Sequence, residues 1–209
     1  MNVTLIRVTE DPEELVELAA SICTNTEPSE AGMMTALNSG HLSITEHTSF
    51  TFLIEGVSRA LLAQFTRHRL ASFSVQSQRY ADMENMPVVV PPTIYADKEM
   101  FDEYNDIMNR IRGFYRKAVK RGIPREDARY PTPQAACTKL LVTMNTRELL
   151  HFFQLRECNK AQWEIRNLAS LMLAICKTKM PNVFKDAGAP CRSGKCPETR
   201  PCKEGPKAR

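Results

Sequence analysis

Branched apolar and polar residues alternate from Asn2 to Val8, which predicts a half-buried strand. Asp11-Pro12-Glu13-Glu14 follows, with Asp11 as a helix cap and proline in the first turn, and predicts a helix to about Ser21. Ser29 caps a second helix through Met33, Met34 and Leu37, and Gly40 stops it. The polar run from Gly40 to His47 reads as a turn. Alternation returns from Ser49 to Glu55 and predicts another strand. A helical run from Ser58 to Phe65 then places Gln64 and Arg67 three apart on one face. Pro87 to Pro92 reads as an extended segment closed by prolines.

Phe101, Tyr104, Met108, Ile111, Tyr115 and Ala118 recur every three or four residues and predict one long amphipathic helix from Lys98 to Lys120. Such a stripe serves a core or a subunit interface. Gly122 ends that helix, and Pro124 opens a short one reaching Arg129. Thr138 to Met144 is a second clear strand, expected beside the Ser49 to Glu55 strand in antiparallel pairing. Asn145-Thr146-Arg147-Glu148 has the form of a capping box. The helix it starts is apolar on most of its circumference through Leu155, so burial is expected, and it ends near Arg156. A last helix spans Gln162 to Lys177. These elements predict an α+β fold, an antiparallel sheet covered by helices with a long helical segment. No Gly-x-Gly-x-x-Gly and no Walker loop occurs, so no Rossmann unit is expected. Residues 1–187 are expected to form a single catalytic domain, and 188–209 a flexible, basic, cysteine-containing tail.

Composition adds limits. In 209 residues, 43% are hydrophobic, enough for a core, and the mean hydropathy is −0.34. The longest apolar run, Leu168 to Cys176, falls far short of the roughly 18–20 residues that span a bilayer. Acidic residues from Glu10 to Glu14 interrupt any secretory pattern. Seven cysteines without paired spacing point to free thiols in a reducing compartment, and the expectation is a cytoplasmic protein without disulfides or membrane partners. Residues 185–209 hold seven basic and three acidic side chains, which accounts for the whole net charge of +4. The neutral remainder argues against nucleic acid.

The candidate chemistry concentrates between Arg67 and Tyr80. Three guanidinium groups, one imidazole, three serine hydroxyls and two carboxamides lie there without an Asp or Glu to neutralise them. Arginine forks match phosphate oxygens two at a time, so the stretch predicts a site for phosphorylated ligands. Arg147 in a first helical turn meets the positive end of the helix dipole, which suggests a bound anion nearby. Arg156, on an apolar helix, needs a partner or a ligand to offset its burial. Ser77 has no general base identified for it and is assigned to substrate binding. Cys191, Cys196 and Cys202 are separated by four and five residues. Three thiols so spaced do not complete a zinc site, and no metal is expected.

Arg67-His68-Arg69, followed by seven residues and Ser77, resembles the signature of the flavin-dependent thymidylate synthases. The likeness extends from about His41 to Trp163 through Met144 to His151, Leu155-Arg156 and Ala161-Gln162-Trp163-Glu164. It implies that family's fold and the conversion of dUMP to dTMP. Methylenetetrahydrofolate would be the one-carbon donor, FAD the redox carrier and NADPH the reductant, in a homotetramer with intersubunit active sites. By the resemblance, Arg67, His68 and Arg69 contact FAD, with Ser43, Val75, Asn145, Thr146, Arg147 and His151, and His41 and Glu46 lie in the segment approaching it. The dUMP pocket would draw on Gln64, Phe65, Thr66, Arg67, Val75, Gln76, Ser77, Gln78, Arg79, Arg129 and Arg156. Arg156 matches the residue that activates uracil through ionisation at N3. The chain departs from the family pattern at Tyr130-Pro131-Thr132-Pro133 and at Lys160. The rival readings are a nucleic-acid-binding module using the Arg-rich loop and basic tail, with steeply salt-dependent affinity, and an inactive flavin-binding relative.

Overall fold

A computed structural model of the chain describes residues 1–194 and 196–202. The order of elements is β1 (Asn2–Val8), α1 (Pro12–Thr24), α2 (Glu30–Asn38), a 3-10 turn (Leu42–His47), β2 (Ser49–Ser58), α3 (Arg59–Phe65) and β3 (Ala71–Val75). Then come α4 (Pro92–Tyr95), α5 (Lys98–Lys120), α6 (Arg125–Ala128), β4 (Cys137–Asn145), α7 (Thr146–Arg156), α8 (Trp163–Lys179) and a 3-10 turn (Pro190–Ser193). The fold is α+β, with one four-stranded antiparallel sheet ordered β1-β2-β4-β3. β2 and β4 are central neighbours, as their alternation predicts. β3 lies inside the Arg-rich stretch that reads as a loop. β2 runs three residues past Glu55, through Gly56, whose φ of 67° is open to glycine at little cost. No helix of the described residues is long and apolar enough to cross a membrane.

The chain divides into two compact units. One comprises Met1–Asn2, Ile54–Gln64 and Ser74–Leu140, and the other Val3–Leu53, Phe65–Phe73 and Leu141 onward. The expected tail begins at 188, and its residues 195 and 203–209 lie outside the described residues.

In the first unit, α5 buries Met108, Tyr115 and Ala118. Tyr115 and Ala118 cluster with Met83, Met86, Ala128 and Ala136. Arg112 donates twice to the Met86 carbonyl, at 3.2 and 3.0 Å, and Tyr104 Oη donates to the Val89 carbonyl at 2.9 Å. Those three bonds hold the extended 86–89 segment along the helix, where Val88 bridges Ala136. α5 also leaves Met100, Ile107 and Phe114 exposed, seven residues apart.

In the second unit, Phe50 stacks on Phe52, and Phe184 packs edge-on against both Phe50 and Phe153. α8 buries Ile165, Leu168, Ala169, Met172, Leu173 and Cys176. Glu13 of α1 accepts hydrogen bonds from the backbone of Asn182 and Val183 at 2.7 and 3.1 Å, fastening the segment after α8. Asp11 stands at the start of α1 but forms no cap hydrogen bond. Its φ of 40° is left-handed, outside the extended region from which a cap reaches the next turn.

Candidate active site

The site of the second unit is built from α7. Asn145 Oδ1 accepts from the Glu148 backbone N–H at 2.8 Å, the cap expected of this residue. The cap secures Glu148 in the first turn, where its side chain is buried. Glu148, Phe152 and Arg156 follow at four-residue intervals on one side of the helix, so the first and last lie about 12 Å apart along its axis. His68 occupies the span between them. Its ring is 4% exposed and meets Phe152 edge-on at 5.0 Å between centroids. His68 Nδ1 lies 2.9 Å from Glu148 Oε1, and Arg156 Nε donates to His68 Nε2 at 3.2 Å.

Hydrogen-bond chemistry fixes the proton. A guanidinium only donates, so His68 Nε2 accepts, and the neutral ring carries its proton on Nδ1, aimed at Glu148. Burial lowers the pKa of His68. The hydrogen bond to Glu148 opposes that, and the charge of Arg156 adds to it. The result is a directed chain from Arg156 through His68 to Glu148. Burial, then the nearby charge of Arg67, lowers the pKa of Arg156.

Arg67 and Arg69 flank the buried imidazole and are exposed. Among the described residues no carboxylate forms an ion pair with either. Ser43 and His151 are exposed as well. Arg147 behaves differently from expectation. It is exposed, and its partner is the Glu46 carboxylate, set at the end of the 3-10 turn, so no external anion is needed to account for this cation. Leu155 is 46% exposed, which corrects the expectation that this mostly apolar helix is buried through Leu155. Thr146 is a structural residue. Its hydroxyl pairs with Thr48 at 2.6 Å and its N–H donates to the Thr48 carbonyl, with the whole side chain buried. The Phe65 side chain is likewise in the core, packed on Phe73 and Phe152. Thr66 is exposed.

The remaining candidates lie in the first unit. Gln64 Nε2 donates to the Ala60 carbonyl at 3.3 Å. Val75 closes β3, and the Gln76 N–H donates to the Lys139 carbonyl at 2.9 Å. Ser77 Oγ accepts from the Arg79 N–H at 3.1 Å, a local turn that presents the loop. Gln78 Nε2 is buried with no hydrogen-bond partner among the described residues. Arg79 pairs with Glu126 at 2.7 Å, and Arg129 Nε donates to the Glu126 carbonyl at 3.1 Å. Acids absent from the 67–80 stretch are thus supplied by Glu126 and Glu148. Reading the sequence singled out neither for such a role. For Glu148 the signal is its place two turns before Arg156.

Fold and site define an α+β protein that presents unneutralised arginines beside a buried, proton-directed histidine. Residues 4–182 match the family model described as thymidylate synthase complementing protein, and the chain belongs to that family. Relatives bearing the name flavin-dependent thymidylate synthase include one from Geobacter sulfurreducens, 45% identical over 95% of this chain and 91% of its own length. Another, from Nitratidesulfovibrio vulgaris, is 49% identical over 78% of this chain and 70% of its own. A third, from Pyrococcus furiosus, is 43% identical over 83% of this chain and 78% of its own.

Proposed function

We infer that the chain catalyses reductive methylation of dUMP to dTMP, with methylenetetrahydrofolate as one-carbon donor, FAD as redox carrier and NADPH as reductant. The observation that carries this reading is the pairing of unneutralised Arg67 and Arg69 with the buried Arg156-His68-Glu148 chain. Two exposed guanidinium groups without carboxylate partners among the described residues suit the diphosphate of FAD, so the donor set fits that group. When bound, FAD supplies the hydride chemistry.

The chain's own residues bind and orient. Arg67 and Arg69 hold phosphate oxygens, with Ser43, Asn145 and His151 contributing polar contacts. Arg156 stabilises negative charge on uracil as the N3 proton leaves, and its bond to His68 keeps the guanidinium aimed. Gln78 Nε2, buried with no hydrogen-bond partner among the described residues, is a donor available to dUMP, and Gln64, Gln76, Ser77 and the Val75 backbone contribute to the same pocket. Arg79 and Arg129 serve the nucleotide phosphate by exchanging their contacts with Glu126. The exposed Arg79-Glu126 pair is weak enough for that exchange.

Residues 1–187 act as one catalytic domain with the fold of this enzyme family, in a cytoplasmic homotetramer whose active sites lie between subunits. The Met100, Ile107 and Phe114 stripe on α5 supports a helix-to-helix subunit contact. The test is anaerobic. dUMP with methylenetetrahydrofolate should reoxidise the NADPH-reduced flavoprotein while yielding stoichiometric dTMP. Failure to take up flavin, with salt-sensitive binding to nucleic acid instead, would overturn the reading.

A further inference from the structure

Beside this site, at the end of α7, the structure gathers thiols that the sequence scatters. Cys158 follows α7, and Cys191, Cys196 and Cys202 belong to the C-terminal segment. Cys158, Cys191 and Cys196 line one cavity of about 260 Å³, walled also by Lys160 and Glu198. Asn159, next to Cys158, directs its Nδ2 at Cys202 Sγ, 3.9 Å away.

The backbone run 157–160 receives the C-terminal segment residue by residue. Glu157, 5% exposed, accepts from Arg192 Nη2 at 2.6 Å and from Ser170 Oγ at 2.6 Å. Cys158 faces the cavity with Cys191 and Cys196, Asn159 meets Cys202, and Lys160 pairs with Glu198 at 2.6 Å. The Arg192-Glu157 contact has one buried partner and anchors the start of the segment. The exposed Lys160-Glu198 pair contributes little. A segment containing Pro190, Pro197 and Pro201 and few apolar side chains cannot bury a core of its own. Small units of that kind are usually held by disulfides or a structural metal. No disulfide joins any of the seven cysteines.

We propose that Cys158, Cys191, Cys196 and Cys202 form a structural zinc site that clamps the C-terminal segment onto the end of α7. Four thiolates are the ligand set of a closed tetrahedral zinc centre, with Zn–S near 2.3 Å and sulfurs about 3.8 Å apart. Among the described residues no three metal-binding side chains already stand in a metal-holding group, so the thiols must draw together from the cavity wall. The four- and five-residue spacers between the tail cysteines are long enough to wrap a single ion. A tetrathiolate zinc carries two net negative charges, and Lys160 and Arg156 on the same cavity wall offset them. The expectation of no metal came from counting only the three tail thiols, while the fourth ligand sits 33 residues upstream of the first of them.

The test uses the full chain, expressed with zinc and purified under reducing conditions without chelator. Elemental analysis should find about one zinc per chain, with four of the seven thiols shielded from a thiol reagent until zinc is stripped. Cys158→Ser and Cys196→Ser should each lose most of the zinc. Cobalt loaded into the stripped protein should show the ligand-field spectrum of a tetrahedral tetrathiolate. Zinc below about a tenth of an equivalent, iron in its place, or full zinc in the Cys158→Ser/Cys196→Ser double variant would overturn the proposal. Cys196 lies outside the helical core, so Cys196→Ser keeps the test open if Cys158→Ser does not fold.

Discussion

His68 accepts from Arg156 and donates to Glu148, and each bond dictates the other. Protonating the ring would place an N–H against an N–H on the Arg156 side. Its pKa is lowered, chiefly by burial, so the folded state resists a proton that the unfolded chain accepts near pH 6.5. The stabilising contribution is therefore complete above that value. It is lost as pH falls toward the depressed folded value. Thermal melts should show the melting temperature falling as pH drops from 7.5 toward 5.5, with a shallower fall in His68→Gln. Glu148→Gln keeps an acceptor for Nδ1–H but removes the charge. It should cost about 1 kcal/mol in urea denaturation, the difference between a charge-assisted and a neutral hydrogen bond. Arg156→Ala should keep bound FAD, read from the visible spectrum, and lose most dTMP formation. Unchanged turnover would remove Arg156 from the catalytic assignment.

Helix starts show the next scale. Asn145 holds the first turn of α7 through Glu148 N–H, so Asn145→Ala should cost about 1 kcal/mol in chemical denaturation, while Asn145→Asp keeps the cap. Asp11 has the same sequence appearance and no cap bond, and its φ of 40° favours glycine. Asp11→Gly should leave stability unchanged or raise it by a few tenths of a kcal/mol. The two positions read alike because residue type signals a cap, while the backbone conformation that aims it is set by neighbouring turns. The central strands were legible for the opposite reason. Thr138, Leu140, Val142 and Met144 all face inward, so their period of two is clean. β3 was not recognised, although Ala71, Phe73 and Val75 alternate with serines. It is a five-residue edge strand only half buried, and the cations beside it drew the reading toward a loop. At the site, Arg67, His68, Arg69 and Arg156 stood out in the sequence. The acidic partners Glu126 and Glu148 did not, because pairing across 47 and 80 residues is set by tertiary packing.

For the whole molecule, charge and assembly matter together. The net charge of +4 resides in residues 185–209, so the arginines at 67 and 69 are cations in an otherwise balanced body rather than part of a basic face. That distribution suits a small phosphorylated ligand better than a polyanion. The candidate residues fall into two sets: Arg67 to Arg69 with Asn145 to Arg156, and Gln76 to Arg79 with Arg129. If each active site takes one set from each of two subunits, lesions in different sets become complementary. The Arg156→Ala and Gln78→Ala proteins should each be nearly inactive. Mixing equal amounts after subunit exchange should restore about a quarter of wild-type dTMP formation, because half the sites receive an intact first set and half of those an intact second set. Sites contained within one subunit would show no recovery, since every chain in the mixture carries a lesion. Complementation measured against subunit exchange, followed by mixed-tag pulldown, therefore tests the intersubunit arrangement separately from the chemistry.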